Sequence, residues 1–141
     1  MASSFSNSFP LTIAVVGGPG VGKTTLISRL VNGEFVEDIS VTVGITHSYW
    51  YTMIGEQEVP FCILDTAGEE RFNSVTPLFF RKADAVLIVF DVSDATGVES
   101  VMNWVNKLRD SSSQMIFVAG NCIDKTDAIT SLAEASKIRD E

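Results

Sequence analysis

The chain is poor in histidine, cysteine and proline, with one, two and four in 141 residues. A single histidine excludes a histidine-rich metal centre. His47, set among tyrosines and a tryptophan, is expected on the surface or on a partner-facing side rather than as a base. Two cysteines cannot staple a disulfide-dense scaffold, and without an export signal Cys62 and Cys122 are expected to stay thiols. Positive charge is also scarce: 10 Lys plus Arg face 18 Asp plus Glu, for a net charge of −8. This argues against a broad surface for nucleic acid, so any phosphate must be gripped locally. No apolar run approaches the ~18 residues of a membrane helix. The longest candidate, Ala85 to Phe90, is bounded by Asp84 and Asp91 and reads as a buried strand. With 45% hydrophobic and 20% charged residues, the remainder is the composition of one ordinary globular domain.

The ends carry little information. Met1 to Phe9 lacks the basic start and apolar core of a signal peptide, and residues 1–10 are expected to be a flexible tail in a cytoplasmic protein. Residue 2 is Ala, and the chain closes on Ile138-Arg139-Asp140-Glu141 with no prenylatable cysteine. No direct membrane anchor is expected in this chain.

Between the ends, strand and helix patterns alternate. Leu11 to Val16 is a β-branched run that enters a glycine cluster, and Leu26, Ile27, Leu30 and Val31 form a helical stripe closing at Asn32-Gly33. Val43 to Met53 and Val59 to Leu64, separated by Gly55, predict a hairpin. Ala85 to Phe90 is the next strand. Val98, Val101, Met102, Val105 and Leu108 mark one helix face, Met115 to Ala119 predicts a further strand, and Ser131 to Asp140 a last helix. The expected fold is α/β: a mostly parallel sheet with one antiparallel hairpin and helices on both faces, from residue 11 to residue 141.

Gly17-Gly18-Pro19-Gly20-Val21-Gly22-Lys23-Thr24 fits the pattern G-x-x-x-x-G-K-[ST] in full and lies between a strand and a helix, where phosphate binding needs it. Such a loop points successive backbone N–H groups at phosphate oxygens, aided by the positive end of the helix. Lys23 would reach the β- and γ-phosphates, and the Thr24 hydroxyl would ligate Mg²⁺. Pro19 has no N–H to give and stiffens the crown of the loop.

Asp65-Thr66-Ala67-Gly68 follows the apolar run Phe61 to Leu64, which places a carboxylate at a strand's C-terminal edge for the metal or its water shell. Gly68 could offer its N–H to the γ-phosphate, and Thr42 a second hydroxyl to the metal. Asn121-Cys122-Ile123-Asp124 follows the strand Met115 to Ala119. Guanine presents two adjacent donors that suit a bidentate carboxylate such as Asp124, whereas adenine places an acceptor there, so the motif favours GTP over ATP.

Together, Gly17 to Thr24, Thr42-Val43-Gly44, Asp65 to Phe72 and Asn121-x-x-Asp124 resemble the Ras superfamily of small GTPases. Arg71 to Thr76, Phe79 to Ala83 and Asn103-Trp104 look most like its Rab branch. The resemblance implies GTP/GDP and Mg²⁺ as ligands, with Gly17, Gly20, Val21, Gly22, Lys23, Thr24 and Thr25 around the phosphates. It assigns the metal to Thr24, Thr42 and Asp65, the base side to Phe35, Asn121 and Asp124, and hydrolysis to Lys23, Thr42, Gly68 and Glu69. Residues 37–44 and 65–76 would be the two switches that meet an exchange factor, a GTPase-activating protein and effectors in vesicle traffic or signalling, the protein itself being a monomer.

The chain departs from the family in several places. Rab proteins usually have an aromatic residue and a Trp where this chain has His47 and Leu64. Glu69 stands where the family has a water-orienting Gln; an ionised Glu only accepts hydrogen bonds, so slow intrinsic hydrolysis is expected. Cys122 stands where the family has a Lys that covers the base. The family's last strand and helix would follow Glu141, and without them the strand Met115 to Ala119 is expected at an exposed sheet edge. Two rivals accompany the GTPase reading: a GTP-binding scaffold without turnover, and a P-loop kinase or ATPase, which Asn121-x-x-Asp124 disfavours.

Overall fold

The computed structural model describes residues 9–37, 44–66, 80–109 and 114–125. In chain order the elements are β1 (Leu11–Val16), α1 (Lys23–Asn32), β2 (Ile45–Ile54), β3 (Gln57–Thr66), β4 (Ala85–Asp91), α2 (Gly97–Arg109) and β5 (Met115–Asn121). The expected α/β architecture is present. Among the described residues one sheet has the order β2-β3-β1-β4-β5, with β2 and β3 antiparallel and the other pairings parallel.

The near-continuous apolar runs of β1 and β4 suit strands covered on both sides. Alternate residues point to opposite faces. Ala14, Val16, Leu64, Val86, Ile88 and Phe90 pack with Val101, Val105 and Leu108 of α2. Val15, Ile63 and Val89 pack with Ile27 of α1 on the other face. Each such fully buried Val or Ile contributes roughly 1.5–3 kcal/mol.

Several sequence-based boundaries need correction. The hairpin strands are Ile45–Ile54 and Gln57–Thr66, because their antiparallel ladder runs from Ile54↔Gln57 to Ile45↔Thr66. β4 and β5 reach Asp91 and Asn121, which pair with each other in register. The stripe expected on α1 also shifts: Ile27 is buried with Lys23, whereas Leu26 and Leu30 are exposed. Gly33 ends α1 as expected, at φ +73 with its N–H on the Arg29 carbonyl. Among the described residues β5 is the outermost strand on its side of the sheet, with Met115, Phe117 and Val118 exposed. The helix expected over Ser131 to Asp140 lies outside the described residues.

The parallel pairing of β3, β1, β4 and β5 brings their C-terminal ends to one edge of the sheet. The chain leaves β1 towards β3 on one side and later reaches β4 on the other, the reversal at which α/β sheets hold ligands.

Candidate functional site

The loop Gly17–Gly22 leaves β1 under tight steric control. Gly17 has φ +151, and a Cβ there would sit 2.2 Å from the Val89 carbonyl oxygen of β4. Gly22, at φ +94, is the N-cap of α1; a Cβ on it would meet Asn121 Nδ2 at 2.5 Å. No side chain caps this helix start and no acidic residue lies in its first turn. A helix start of this kind turns N–H groups and a positive dipole end towards an anion.

Lys23 is buried, and its ammonium donates to the carbonyls of Gly17 at 3.2 Å and Gly18 at 2.8 Å. Burial pushes its pKa below the ordinary lysine value, against the pull of the nearby Asp65. Asp65, buried at the end of β3, accepts the Thr24 hydroxyl on Oδ2 at 2.5 Å, while Oδ1 is buried without a partner. Burial raises the Asp65 pKa; the Thr24 hydrogen bond and the Lys23 charge oppose that rise. A carboxylate with an unspent buried oxygen, beside a hydroxyl, is the donor set of a hard cation such as Mg²⁺. The residues present therefore fit that ion.

The fourth strand end supplies the remaining loop. Asn121 Nδ2 donates to the Val21 carbonyl at 2.8 Å, so the end of β5 is tied directly to the phosphate loop. Cys122 follows with φ +63, a backbone region that side chains disfavour. Its carbonyl accepts the Lys125 N–H at 3.1 Å, closing a turn that leaves Ile123 and Asp124 exposed. Burial, together with the Asp91 carboxylate, raises the pKa of the Cys122 thiol. Both cysteines are free thiols.

The structure thus assembles Gly17, Gly20, Val21, Gly22, Lys23, Thr24, Asp65 and Asn121 at one edge, with Thr25 following in α1 and Asp124 on the adjoining turn. Phe35 lies beyond the end of α1 and is 65% exposed. Thr42, Gly68 and Glu69 lie outside the described residues. Sequence reasoning assigned Asn121 to the base alone and missed its tie to Val21. It took Asp91 only as the boundary of an apolar run and declined Lys125 as a substitute for a Lys at position 122, and so missed that the two form an ion pair beside this turn. A signal existed: Asp91 follows an apolar strand just as Asp65 does.

The sequence model of the Ras family matches residues 12–141. The chain belongs to the Ras family of small GTPases. It is 34% identical over 140 residues to the Ras-related protein RABF2a of Arabidopsis thaliana, covering 98% of this chain and 70% of that protein. The Ras-related protein Rab5 of Nicotiana tabacum is 31% identical with the same coverage. The human Ras-related protein Rab-31 is 33% identical over 119 residues, 83% of this chain and 61% of that one. These Rab names agree with the Rab-like motifs. Membership in the Ras family implies guanine-nucleotide and Mg²⁺ binding and GTP hydrolysis. No helix among the described residues is long and apolar enough to cross a membrane.

Proposed function

We propose that this Ras-family chain is a Rab-like switch of intracellular vesicle trafficking that binds GTP and GDP with Mg²⁺ and hydrolyses GTP slowly. The observation that carries the nucleotide site is the half-satisfied Asp65 carboxylate beside Thr24 and Lys23, at the mouth of an uncapped helix. In this reading the backbone of Gly20 to Thr25 holds the phosphates. The Lys23 ammonium leaves the carbonyls of Gly17 and Gly18 for the β- and γ-oxygens. Thr24, Asp65 and Thr42 would hold Mg²⁺, which would supply charge neutralisation at the phosphoryl group. Phe35, Asn121 and Asp124 form the base side, with Asp124 accepting the two guanine donors.

Gly68 would donate its N–H to the γ-phosphate, and Glu69 would lie near the attacking water. A carboxylate there lacks the donor of a Gln side chain and repels the phosphate, which supports slow turnover. Exchange factors, GTPase-activating proteins and effectors would meet residues 37–44 and 65–76. The Rab names of the relatives support a place on the cytosolic face of endomembranes.

A second reading, a GTP-binding scaffold without turnover, is favoured by Cys122, a half-buried thiol in the position of a base-covering Lys. Chromatography of nucleotide released from the denatured, purified chain tests both. GDP supports the switch, and near-stoichiometric GTP that persists on incubation supports the scaffold. Adenine nucleotide, or none from a folded preparation, overturns the guanine site itself.

A further inference from the structure

The end of β4 has no part in the proposed phosphate and metal chemistry, yet its last residue reaches the turn that carries Asp124. Asp91 is largely buried and firmly held. Its Oδ1 accepts the Ser93 N–H at 2.8 Å and the Ser93 hydroxyl at 2.5 Å. Its backbone is paired in register with Asn121, and the Val92 N–H donates to the Asn121 carbonyl at 3.0 Å. Asp91 Oδ2 takes the Lys125 ammonium in an ion pair.

The turn that this pair grips is otherwise weakly specified. It opens on Cys122 in the left-handed region without glycine, with the thiol against Asp91, is closed by the Lys125 N–H on the Cys122 carbonyl, and is exposed at Ile123, Asp124 and Lys125. Upstream it is fastened by Asn121 on Val21; downstream, by Lys125 on Asp91. Asp124 stands between these two fastenings. Accepting two adjacent donors on one carboxylate requires a fixed carboxylate plane, because a small rotation keeps one hydrogen bond and loses the other.

We propose that Lys125 is a positioning residue for base recognition: through its ion pair with Asp91 it fixes the Cys122–Lys125 turn and thereby orients the Asp124 carboxylate. The proposal rests on reading this edge as a guanine site. Lys125 does not stand in for a cation at position 122, since its ammonium lies on Asp91 rather than on the phosphate loop. It acts from the far side of Asp124. Asp91 keeps its charge throughout the physiological range: burial works to raise its pKa, but the hydrogen bonds from Lys125 and Ser93 outweigh burial and hold it at about 2.

The test compares the affinities of the 141-residue chain for GDP, for inosine diphosphate, which lacks the 2-amino donor, and for ADP. The variants are Lys125→Met, Lys125→Arg, Asp91→Asn and the double variant Asp91→Asn with Lys125→Met. Lys125→Met should lower the guanine-to-inosine affinity ratio about tenfold, the worth of one charge-assisted hydrogen bond. Lys125→Arg should restore the ratio, and the double variant should be no worse than Lys125→Met, because the two residues act as one unit. Raising the ionic strength should lower the wild-type ratio, a readout that needs no variant, and should leave that of Lys125→Met unchanged. A wild-type ratio that ignores salt, or a folded Lys125→Met with an undiminished ratio, overturns the positioning role while the guanine site stands. No preference for GDP over ADP in the wild type overturns the guanine site and the positioning role with it.

Discussion

Thr24 donates its hydroxyl hydrogen to Asp65 Oδ2 across 2.5 Å and so joins the first turn of α1 to the end of β3, while Asp65 Oδ1 stays buried without a partner. A buried, half-satisfied carboxylate is costly, and the rise in its pKa reflects that cost. The folded value lies above the ordinary 3.8, so the nucleotide-free protein binds the extra proton and loses stability as pH rises from there to the raised value. Asp65→Asn should remove that component of the slope in urea midpoints measured across the acid range. The same variant should release nucleotide at a rate that chelation of Mg²⁺ does not change, whereas the wild type should release it faster. An intact Mg²⁺ effect in Asp65→Asn would remove this carboxylate from the metal site.

Gly17 and Gly20 both have positive φ but differ in their surroundings. At Gly17 a Cβ would strike the Val89 carbonyl oxygen, part of the β4 backbone where Val89 pairs with Ala119 of β5; at Gly20 nothing lies within 4 Å. Gly20→Ala should cost only the backbone strain, about 1 kcal/mol. Gly17→Ala should cost at least about 1 kcal/mol more, the range of an overpacked core. Denaturant unfolding of the two variants checks the ordering, and equal losses would mean that the loop swings away from β4.

What the sequence made legible was carried by contiguous residues. Leu11 to Val16, the glycine loop and Asp65 at the end of an apolar run each contain their own signal. Longer range pairing decided the rest. β5 reaches Asn121 because β4 reaches Asp91, and neither extension is visible in local propensity. On α1 the short stripe included Leu26 and Leu30, but the sheet meets the line through Lys23 and Ile27. Asp91 and Lys125 are 34 residues apart, and only the register of β4 against β5 makes them neighbours. Cys122 read as a departure at the base; its left-handed backbone has no signature in the sequence.

Glu69 gives a prediction that rests on chemistry alone, since it lies outside the described residues. A Gln there can accept from water and donate to the developing charge at once, whereas an ionised Glu can only accept. Glu69→Gln should therefore raise the single-turnover rate of GTP hydrolysis by about tenfold or more while leaving GDP affinity within about twofold. Equal rates would sink the slow-hydrolysis reading.

The Asp91–Lys125 pair makes separable predictions for stability and for recognition. Asp91 has a folded pKa of about 2, below the ordinary 3.8, so its stabilising contribution is complete above the unfolded value and is lost as pH falls through the folded one. The groups facing it are Lys125, Ser93, the Cys122 thiol and, nearby, Asp124. The stability difference between wild type and Lys125→Met should stay constant near neutral pH and shrink between about pH 4 and pH 2. Because Lys125 is half exposed, solvent screens the pair and that difference should be small. The effect on recognition is not read from the pair's net stability, since orienting one carboxylate decides whether a second hydrogen bond to the base forms at all. Lys125→Met should therefore lose guanine selectivity out of proportion to its stability, and a loss confined to the unfolding midpoint would mark the pair as a surface ion pair and nothing more.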